Sequence, residues 1–228
     1  MTSPTHNIVL ASAAACLTAF MGIGLGPGAS SAHAAASEPE TAKDEGMKRD
    51  KPLSKGEIIP DFMLLNAEGS EITLSKALES GPVVLTFFRG KWCPYCVKAL
   101  ESLETSVSSV NELGATVYAI SPQTLENTVD LREQTGLSYE LLVDHDNGLA
   151  ERLGLMFELD PKTVERYRQY GIDLPDANGT DAWELPIPAT YVIDSSREVR
   201  YAWTNEDYSR RAPVSRILRT LRAIQAEE

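Results

Sequence analysis

The sequence predicts an α/β fold in which a mixed β-sheet carries helices on both faces. Residues 83–88 (VVLTFF) form a continuous apolar run rich in β-forming residues, which is typical of a central strand covered on both sides. Residues 97–113 carry apolar side chains at spacings of three and four, which predicts one continuous amphipathic helix. Strand and helix patterns then alternate as βαβαβ and end as ββα, so the sheet is expected to be mixed.

The other elements follow from local patterns along the chain. Residues 58–65 and 71–74 predict an N-terminal β-hairpin around the turn that contains Gly69. Gly114 and Gly136 are expected to end the helices that precede them. The remaining predicted elements are strands at 115–120 and 140–143, helices at 121–136, 149–155 and 161–170, an inserted loop to 183, a hairpin of 189–194 with 198–203, and a helix at 213–226.

Composition limits the classes of partner. The chain has 228 residues, a net charge of −12 and 43% hydrophobic residues, which is enough apolar material for a buried core. The acidic balance argues against a nucleic-acid partner, because binding phosphates needs clustered Lys and Arg. Of the three histidines, only His145 lies outside the N-terminal 34 residues, so the cysteine pair lacks the further ligands that a zinc site needs. Neither a metal nor a cofactor is expected.

The N-terminus resembles an export signal. Residues 2–37 contain no Asp, Glu, Lys or Arg, residues 8–25 are apolar and Ala-rich, and Ala32-His33-Ala34 follows. We therefore predict a signal peptide at 1–34, a flexible linker at 35–55 and a folded domain at 56–228. The protein is then periplasmic or secreted. The alternative is an uncleaved membrane anchor with the domain facing outside, and membrane contact is expected only in that case.

The segment Trp92-Cys93-Pro94-Tyr95-Cys96 carries the chemistry. Cys93 is expected at the start of a helix, where free N–H groups and the helix dipole stabilise a thiolate. Pro94 suits the first helical position, and the spacing places Cys96 on the same turn. A disulfide that closes so small a loop adds little stability, so the pair is interpreted as redox-active rather than structural. This interpretation requires the Cys93 sulfur to be both acidic and reachable.

Pro188 is the second notable position, because it stands directly before the strand at 189–194. We expect a cis peptide bond that packs beside the thiols. The alternative is a proline that blocks a sheet edge.

These motifs together resemble a known family. The strand, the Trp-Cys-x-x-Cys segment, the helix and the late proline resemble the thioredoxin-like fold. Four segments narrow the resemblance to the peroxiredoxin-like branch of the alkyl hydroperoxide reductase and thiol-specific antioxidant family, over residues 56–226. They are 60–62 (PDF), 87–96 (FFRGKWCPYC), 171–175 (GIDLP) and 188–194 (PATYVID), with a similar C-terminal segment at 207–213.

The resemblance implies a thioredoxin-dependent, peroxiredoxin-type oxidoreductase that reduces hydrogen peroxide or organic hydroperoxides. Cys93 falls at the peroxidatic position, so its thiolate would attack the O–O bond and become a sulfenic acid. Cys96 would condense with it, and a thioredoxin-like dithiol protein would reduce the resulting disulfide. Trp92, Pro188 and Thr190 are assigned to the substrate pocket.

The sequence also departs from the family pattern. Peroxiredoxins carry Thr or Ser three residues before the reactive cysteine, where this chain has Gly90, and Thr86 stands seven before it. The later Arg of the family is replaced at Pro188. Arg89 is therefore the nearest donor for the leaving oxygen and is assigned to catalysis with the two cysteines. Arg210 and Arg211 are weaker candidates for the same role.

Two other functions stay open from the sequence. A thiol–disulfide oxidoreductase that acts on exported proteins fits the Cys-Pro-Tyr-Cys spacing, the expected cis-proline and the missing Thr and Arg. A non-catalytic binding module of thioredoxin-like fold is the third possibility, although the intact cysteine pair argues against it.

Overall fold

The computed structural model describes residues 50–227, which form a mixed sheet with helices on both faces. The strands are β1 Met63–Asn66, β2 Glu71–Thr73, β3 Val83–Phe87, β4 Thr116–Ser121, β5 Glu140–Val143, β6 Met156–Glu158, β7 Glu184–Pro186, β8 Ala189–Ile193 and β9 Val199–Thr204. The helices are α1 Leu74–Leu78, α2 Pro94–Glu104, α3 Val107–Glu112, α4 Leu125–Thr135, α5 Gly148–Arg152, α6 Pro161–Gln169, α7 Leu174–Asn178 and α8 Val214–Gln225, with a 3₁₀ turn at His145–Asn147.

Seven strands form the main sheet, in the order β2-β1-β5-β4-β3-β8-β9. Strand β3 pairs parallel with β4 and antiparallel with β8, which explains why all five of its residues are buried. The predicted N-terminal hairpin is present as the antiparallel pair β1 and β2. In the central register Phe87 faces Ala189, so the end of β3 lies beside the start of β8.

The two faces of the sheet carry separate hydrophobic clusters. Alternate residues of β3 divide between them: Leu85 and Phe87 join a cluster with α1 and α5, whereas Val84 joins a cluster with α2, α3, α4 and α8. Period-two alternation along a strand produces this division. Both cysteines belong to the second cluster, so the sulfur pair is built into the packed interior between the sheet and α2.

The prediction of one continuous helix after Cys93 is wrong. The helix breaks at Thr105 and Ser106 into α2 and α3, and the Thr105 hydroxyl donates to the carbonyl of Ser102 at 2.8 Å. A threonine that bonds to the preceding turn favours such an end. Val107 and Val110 stay buried in the same cluster, so the apolar stripe continues across the break although the helix does not.

The predicted inserted loop also contains structure. Helix α6 is present as predicted, and Asp160 caps it by accepting from the amides of Lys162 and Thr163. The stretch that follows contains α7 and then β7, which pairs with β6 in a separate two-stranded sheet. Leu159, Leu174 and Leu185 form a small core beneath these elements.

The packed part of the chain begins slightly before the predicted domain boundary at residue 56. Leu53 is only 2% exposed and packs in the cluster with α1 and α5. The predicted signal peptide at 1–34 and most of the predicted linker lie outside the described residues. Within residues 50–227, no helix combines the length and apolar character needed to cross a membrane.

Candidate dithiol active site

The turn between β3 and α2 positions Cys93. Cys93 is the N-cap residue of α2, and Pro94 occupies the first helical turn as predicted. Gly90 has φ +148°, and a Cβ there would stand 2.6 Å from the indole nitrogen of Trp92. The turn therefore needs glycine both for its backbone conformation and for the close approach of Trp92.

Arg89 contacts the Cys93 sulfur directly. Its Nη2 donates to Cys93 Sγ at 3.4 Å, and its Nη1 donates to the Tyr167 hydroxyl at 2.9 Å. The guanidinium carbon lies 3.8 Å from the ring centroid of Tyr208 and 5.3 Å from that of Trp92. Arg89 is only 5% exposed, so a buried positive charge faces the sulfur.

The pKa values of the two cysteines are shifted in opposite directions. A hydrogen bond with the Cys96 thiol is the largest cause that lowers the pKa of Cys93, to about 5; burial opposes it, and the hydrogen bond and charge of Arg89 add to the lowering. The same contact with Cys93, together with burial, raises the pKa of Cys96 above the ordinary value for cysteine. At neutral pH Cys93 is thus the thiolate and Cys96 holds the proton.

Two sequence expectations about Cys93 can be compared with the structure. Cys93 is the N-cap residue of α2, but its side chain makes no capping hydrogen bond. The backbone amide of Cys96 at the helix start does lower the pKa of Cys93, while the Cys96 thiol and Arg89 lower it more. The sulfur is also not reachable in this conformation, since Cys93 is 1% exposed and Cys96 is fully buried.

Cys96 has its own arginine. Arg211 Nη2 donates to Cys96 Sγ at 3.4 Å, across 115 residues of sequence. Its Nη1 donates to the carbonyls of Tyr208 and Arg210, each at 2.6 Å. Arg210 itself points away, with a side chain that is 71% exposed and paired with Asp207.

Residues 205–213, called here the C-terminal loop, connect β9 to α8 and contact both Cys96 and the arginine beside Cys93. Tyr208 of this loop packs against Arg89, and its ring also meets that of Tyr95 edge-on at 5.6 Å. Arg211 of the same loop reaches Cys96. One segment therefore contacts the surroundings of both sulfurs.

The expected cis bond at Pro188 is wrong, because the described residues contain no cis peptide. Ile187 and Pro188 connect β7 to β8, and the Ile187 amide donates to the Leu155 carbonyl at 2.8 Å. Pro188 nevertheless lies beside Arg89. It lines a cavity of about 250 Å³ together with Arg89, Phe157, Ile187, Glu206 and Tyr208.

The other two predicted pocket residues lie elsewhere. Thr190 is buried in β8, with its hydroxyl 3.3 Å from that of Thr86, and both line a separate cavity of about 110 Å³ that Arg211 also borders. Trp92 packs edge-on against Tyr167 at 5.6 Å and covers Arg89. Of the three, only Pro188 borders the cavity that Arg89 lines.

Sequence reasoning missed Tyr167 and Tyr208. Tyr167 lies on the predicted helix at 161–170, but its partner Arg89 is 78 residues earlier, so no local pattern connects them. Tyr208 lies in the C-terminal segment that carries part of the family resemblance, which was the available signal. For metals, the described residues hold no group of three or more His, Cys, Asp or Glu side chains arranged around a shared point.

Comparison with known proteins shows the family to which the chain belongs. Residues 55–202 match the AhpC/TSA family model. A putative peroxiredoxin of Haemophilus influenzae is 32% identical over 107 residues, covering 47% of this chain and 68% of the relative. Peroxiredoxin Q of Oryza sativa is 26% identical over 174 residues, covering 76% and 68%.

Solved structures show the same fold. Peroxidoxin BcpB from Mycobacterium tuberculosis superposes with a TM-score of 0.59 at 24% identity, covering 75% of this chain and 98% of that one. Peroxiredoxin Q of Xanthomonas campestris gives 0.56 at 16% identity, covering 78% and 99%. The chain belongs to the AhpC/TSA family, on its peroxiredoxin-like branch, and has a thioredoxin-like fold.

Proposed function

We propose that the protein is a thiol-dependent peroxidase in which Cys93 reduces hydroperoxides. Membership of the AhpC/TSA family supports the class of enzyme. The observation that carries the assignment of the residues is the hydrogen bond of Arg89 to a Cys93 sulfur whose pKa is lowered to about 5. Thiolates rather than thiols attack peroxides, so Cys93 is the sulfur prepared to react.

In the first step the Cys93 thiolate attacks one peroxide oxygen. The S–O bond forms and the O–O bond breaks, and the second oxygen leaves as water or an alcohol after taking a proton, which yields the sulfenic acid. The leaving oxygen needs a donor. Arg89 supplies the charge, and its Nε is a buried side-chain atom without a hydrogen-bond partner in the described part of the chain. Tyr167 holds the guanidinium in place.

The cavity of about 250 Å³ is the proposed entry for the peroxide. Arg89 lines it together with Glu206 and Tyr208, and Phe157, Ile187 and Pro188 supply an apolar part of the lining. An apolar lining accepts an alkyl group as well as hydrogen peroxide. Because Cys93 itself is buried, the C-terminal loop or the Tyr208 ring has to move for the oxygen to reach the sulfur.

In the second half of the cycle Cys96 is proposed to attack the sulfenic acid. The disulfide that forms is returned to two thiols by a thioredoxin-like dithiol protein, which itself becomes oxidised. Neither cysteine is in a disulfide in the structure, and they share the first turn of α2.

The alternative of a thiol–disulfide oxidoreductase has lost part of its basis. The cis-proline that favoured it is absent from the described residues. Reduction of insulin disulfides by the reduced protein measures this activity. Rapid reduction would favour the alternative, whereas a rate no greater than that of a small free thiol supports the peroxidase.

Stopped-flow mixing of the reduced protein with hydrogen peroxide tests the proposal directly. We expect Cys93 to react much faster than an ordinary free thiol, because the thiolate is formed already and Arg89 faces it. If the reaction runs at the rate of a free thiol, for hydrogen peroxide and for an alkyl hydroperoxide, the peroxidase assignment fails.

Export is a separate proposal and rests on the pattern in residues 1–34. Signal cleavage after Ala34 would release a chain that begins at Ala35, in the periplasm or outside the cell. The intact mass of the mature protein from its native host tests this. Retention of residues 1–34 in a membrane fraction would support the anchor instead.

A further inference from the structure

We infer that Arg211 is a second catalytic arginine, which serves the Cys96 sulfur when it attacks the Cys93 sulfenic acid. The inference rests on the proposed function, since it concerns the second half of the same cycle. The two arginines then act in different steps: Arg89 beside the sulfur that attacks the peroxide, and Arg211 beside the sulfur that forms the disulfide.

The need for such a group follows from the arrangement of the sulfurs. In the reduced protein Cys96 keeps its proton and shares it with the Cys93 thiolate, which favours the first step. The second step requires the opposite, because a thiolate at Cys96 is the nucleophile. Cys96 is fully buried, and burial alone disfavours a negative charge.

Oxidation of Cys93 changes the surroundings of Cys96 in a favourable direction. The sulfenic acid carries no charge, so the repulsion from the Cys93 thiolate and the hydrogen bond to it both disappear. The positively charged Arg211 remains 3.4 Å from the Cys96 sulfur. A cation at that distance stabilises the thiolate and lowers the pKa of the nucleophile in this intermediate.

Arg211 is held in a way that suits this role. Its Nη1 is occupied by the carbonyls of Tyr208 and Arg210, while Nη2 points at the sulfur. A guanidinium fixed by two backbone acceptors needs little reorganisation when charge develops on the sulfur. Both backbone acceptors belong to the C-terminal loop, so the position of the Arg211 guanidinium depends on that loop.

The step balances without an external reactant. Cys96 loses its proton, its sulfur attacks the sulfur of the Cys93 sulfenic acid, the S–S bond forms and the S–O bond breaks. The hydroxide that leaves takes the proton from Cys96 and departs as water. The groups that face Cys96 are Cys93 on α2, the backbone amide and the charge of Arg89 from the preceding turn, and Arg211 from the C-terminal loop.

Single-turnover kinetics separate the two steps. The reduced protein is mixed with one equivalent of hydrogen peroxide, sulfenic acid is trapped with dimedone, and the disulfide is quantified by mass. For Arg211→Met we expect the first step to change less than about threefold and the second to slow by roughly 10²-fold, as for loss of one charged donor to a reacting atom. Sulfenic acid should accumulate in this variant.

A conservative variant and a matched control sharpen the test. Arg211→Lys should recover most of the rate of the second step, because a cation remains. Arg219→Met removes an exposed arginine of α8 and should leave both steps unchanged. In Arg211→Met the second step should also accelerate as pH rises, over a range where the wild-type rate is flat, since its Cys96 must now lose a proton unaided.

The outcomes are distinct. Disulfide formation at the wild-type rate in Arg211→Met overturns the inference, and so does equal slowing of both steps. If Arg211→Met fails to fold, as judged by circular dichroism, the pH dependence of the second step in Arg211→Lys decides in its place. Failure of the wild-type protein to form a sulfenic acid refutes the proposed function itself.

Discussion

The two sulfurs of the active site differ in how their surroundings are assembled. Cys93 is served by Arg89, four residues earlier in the same turn. Cys96 is served by Arg211, which comes from a loop 115 residues later. The direct charged contact of Cys93 therefore comes from its own turn, although Tyr167 and Tyr208 from later in the chain pack on that arginine. The direct charged contact of Cys96 comes entirely from the C-terminal loop.

The two cysteines also differ in which of them holds a proton at neutral pH. The pair holds one negative charge, and the contacts direct it to Cys93 while Cys96 keeps the hydrogen. Two neighbouring groups that titrate in this coupled way can play different roles although they are chemically alike.

Replacing each cysteine in turn should give unequal results. Cys93→Ser removes the attacking sulfur and should abolish peroxide reduction. Cys96→Ser should still form a sulfenic acid in a first turnover but should not close the disulfide, so steady turnover with a dithiol donor stops. Dimedone trapping followed by mass analysis distinguishes the two. Sustained turnover in Cys93→Ser, or unimpaired steady turnover in Cys96→Ser, would contradict the assigned roles.

Removing the charge beside Cys93 comes next. Arg89→Met should raise the pKa of Cys93 and slow its reaction with peroxide at neutral pH by about 10²-fold, because the thiolate and the leaving oxygen both lose a donor. Arg89→Lys should retain part of the rate. Arg211→Met is the matched comparison, since it removes an arginine from the other sulfur and should leave this step nearly intact. Equal losses in both would contradict the division of roles.

The hydrogen bond between the sulfurs can be tested with two replacements at one position. Cys96→Ala removes the donor and should raise the pKa of Cys93, whereas the hydroxyl of Cys96→Ser can still donate and should raise it less. The rate of the first step should then fall as pH decreases through a higher midpoint in the alanine variant. An identical pH profile for both variants would mean that Arg89 alone maintains the thiolate.

The smallest effect is expected at Tyr167. Tyr167→Phe deletes the hydroxyl that accepts from Arg89 Nη1 at 2.9 Å, which frees the guanidinium to shift. One such hydrogen bond contributes about 1 kcal/mol, so the first step should slow by less than about tenfold while the second stays unchanged. The ratio of the two rates from single-turnover traces measures this. A larger effect on the second step would contradict the placement of Tyr167.

The sequence predicted what depends on neighbours along the chain. The apolar run at 83–88, the end of helix α4 at Gly136 with φ +63°, and the cysteine pair at the start of α2 are all local patterns. The break at Thr105 escaped notice because the apolar stripe continues across it. The three-residue strands β6 and β7 are too short to give a period.

The functional site followed the same rule. Arg89 could be assigned because it lies in the turn itself, but the contact of Arg211 with Cys96 joins distant parts of the chain. The low pKa of Cys93 was expected from its place at the helix start, yet the largest cause is the hydrogen bond with the Cys96 thiol. The orientation of that thiol cannot be inferred from a sequence pattern. Thr190 was assigned to the pocket from its position in a motif, and its hydroxyl instead meets Thr86 across the sheet.

Ultraviolet absorbance of the thiolate, followed during titration of the reduced protein with Cys93→Ser as the blank, measures whether Cys93 is the acidic sulfur. We expect one thiolate that forms with a midpoint near pH 5, disappears in Cys93→Ser and shifts upward in Arg89→Met. A midpoint near 9, the ordinary value for a cysteine, or an acidic thiolate that survives in Cys93→Ser, would contradict it.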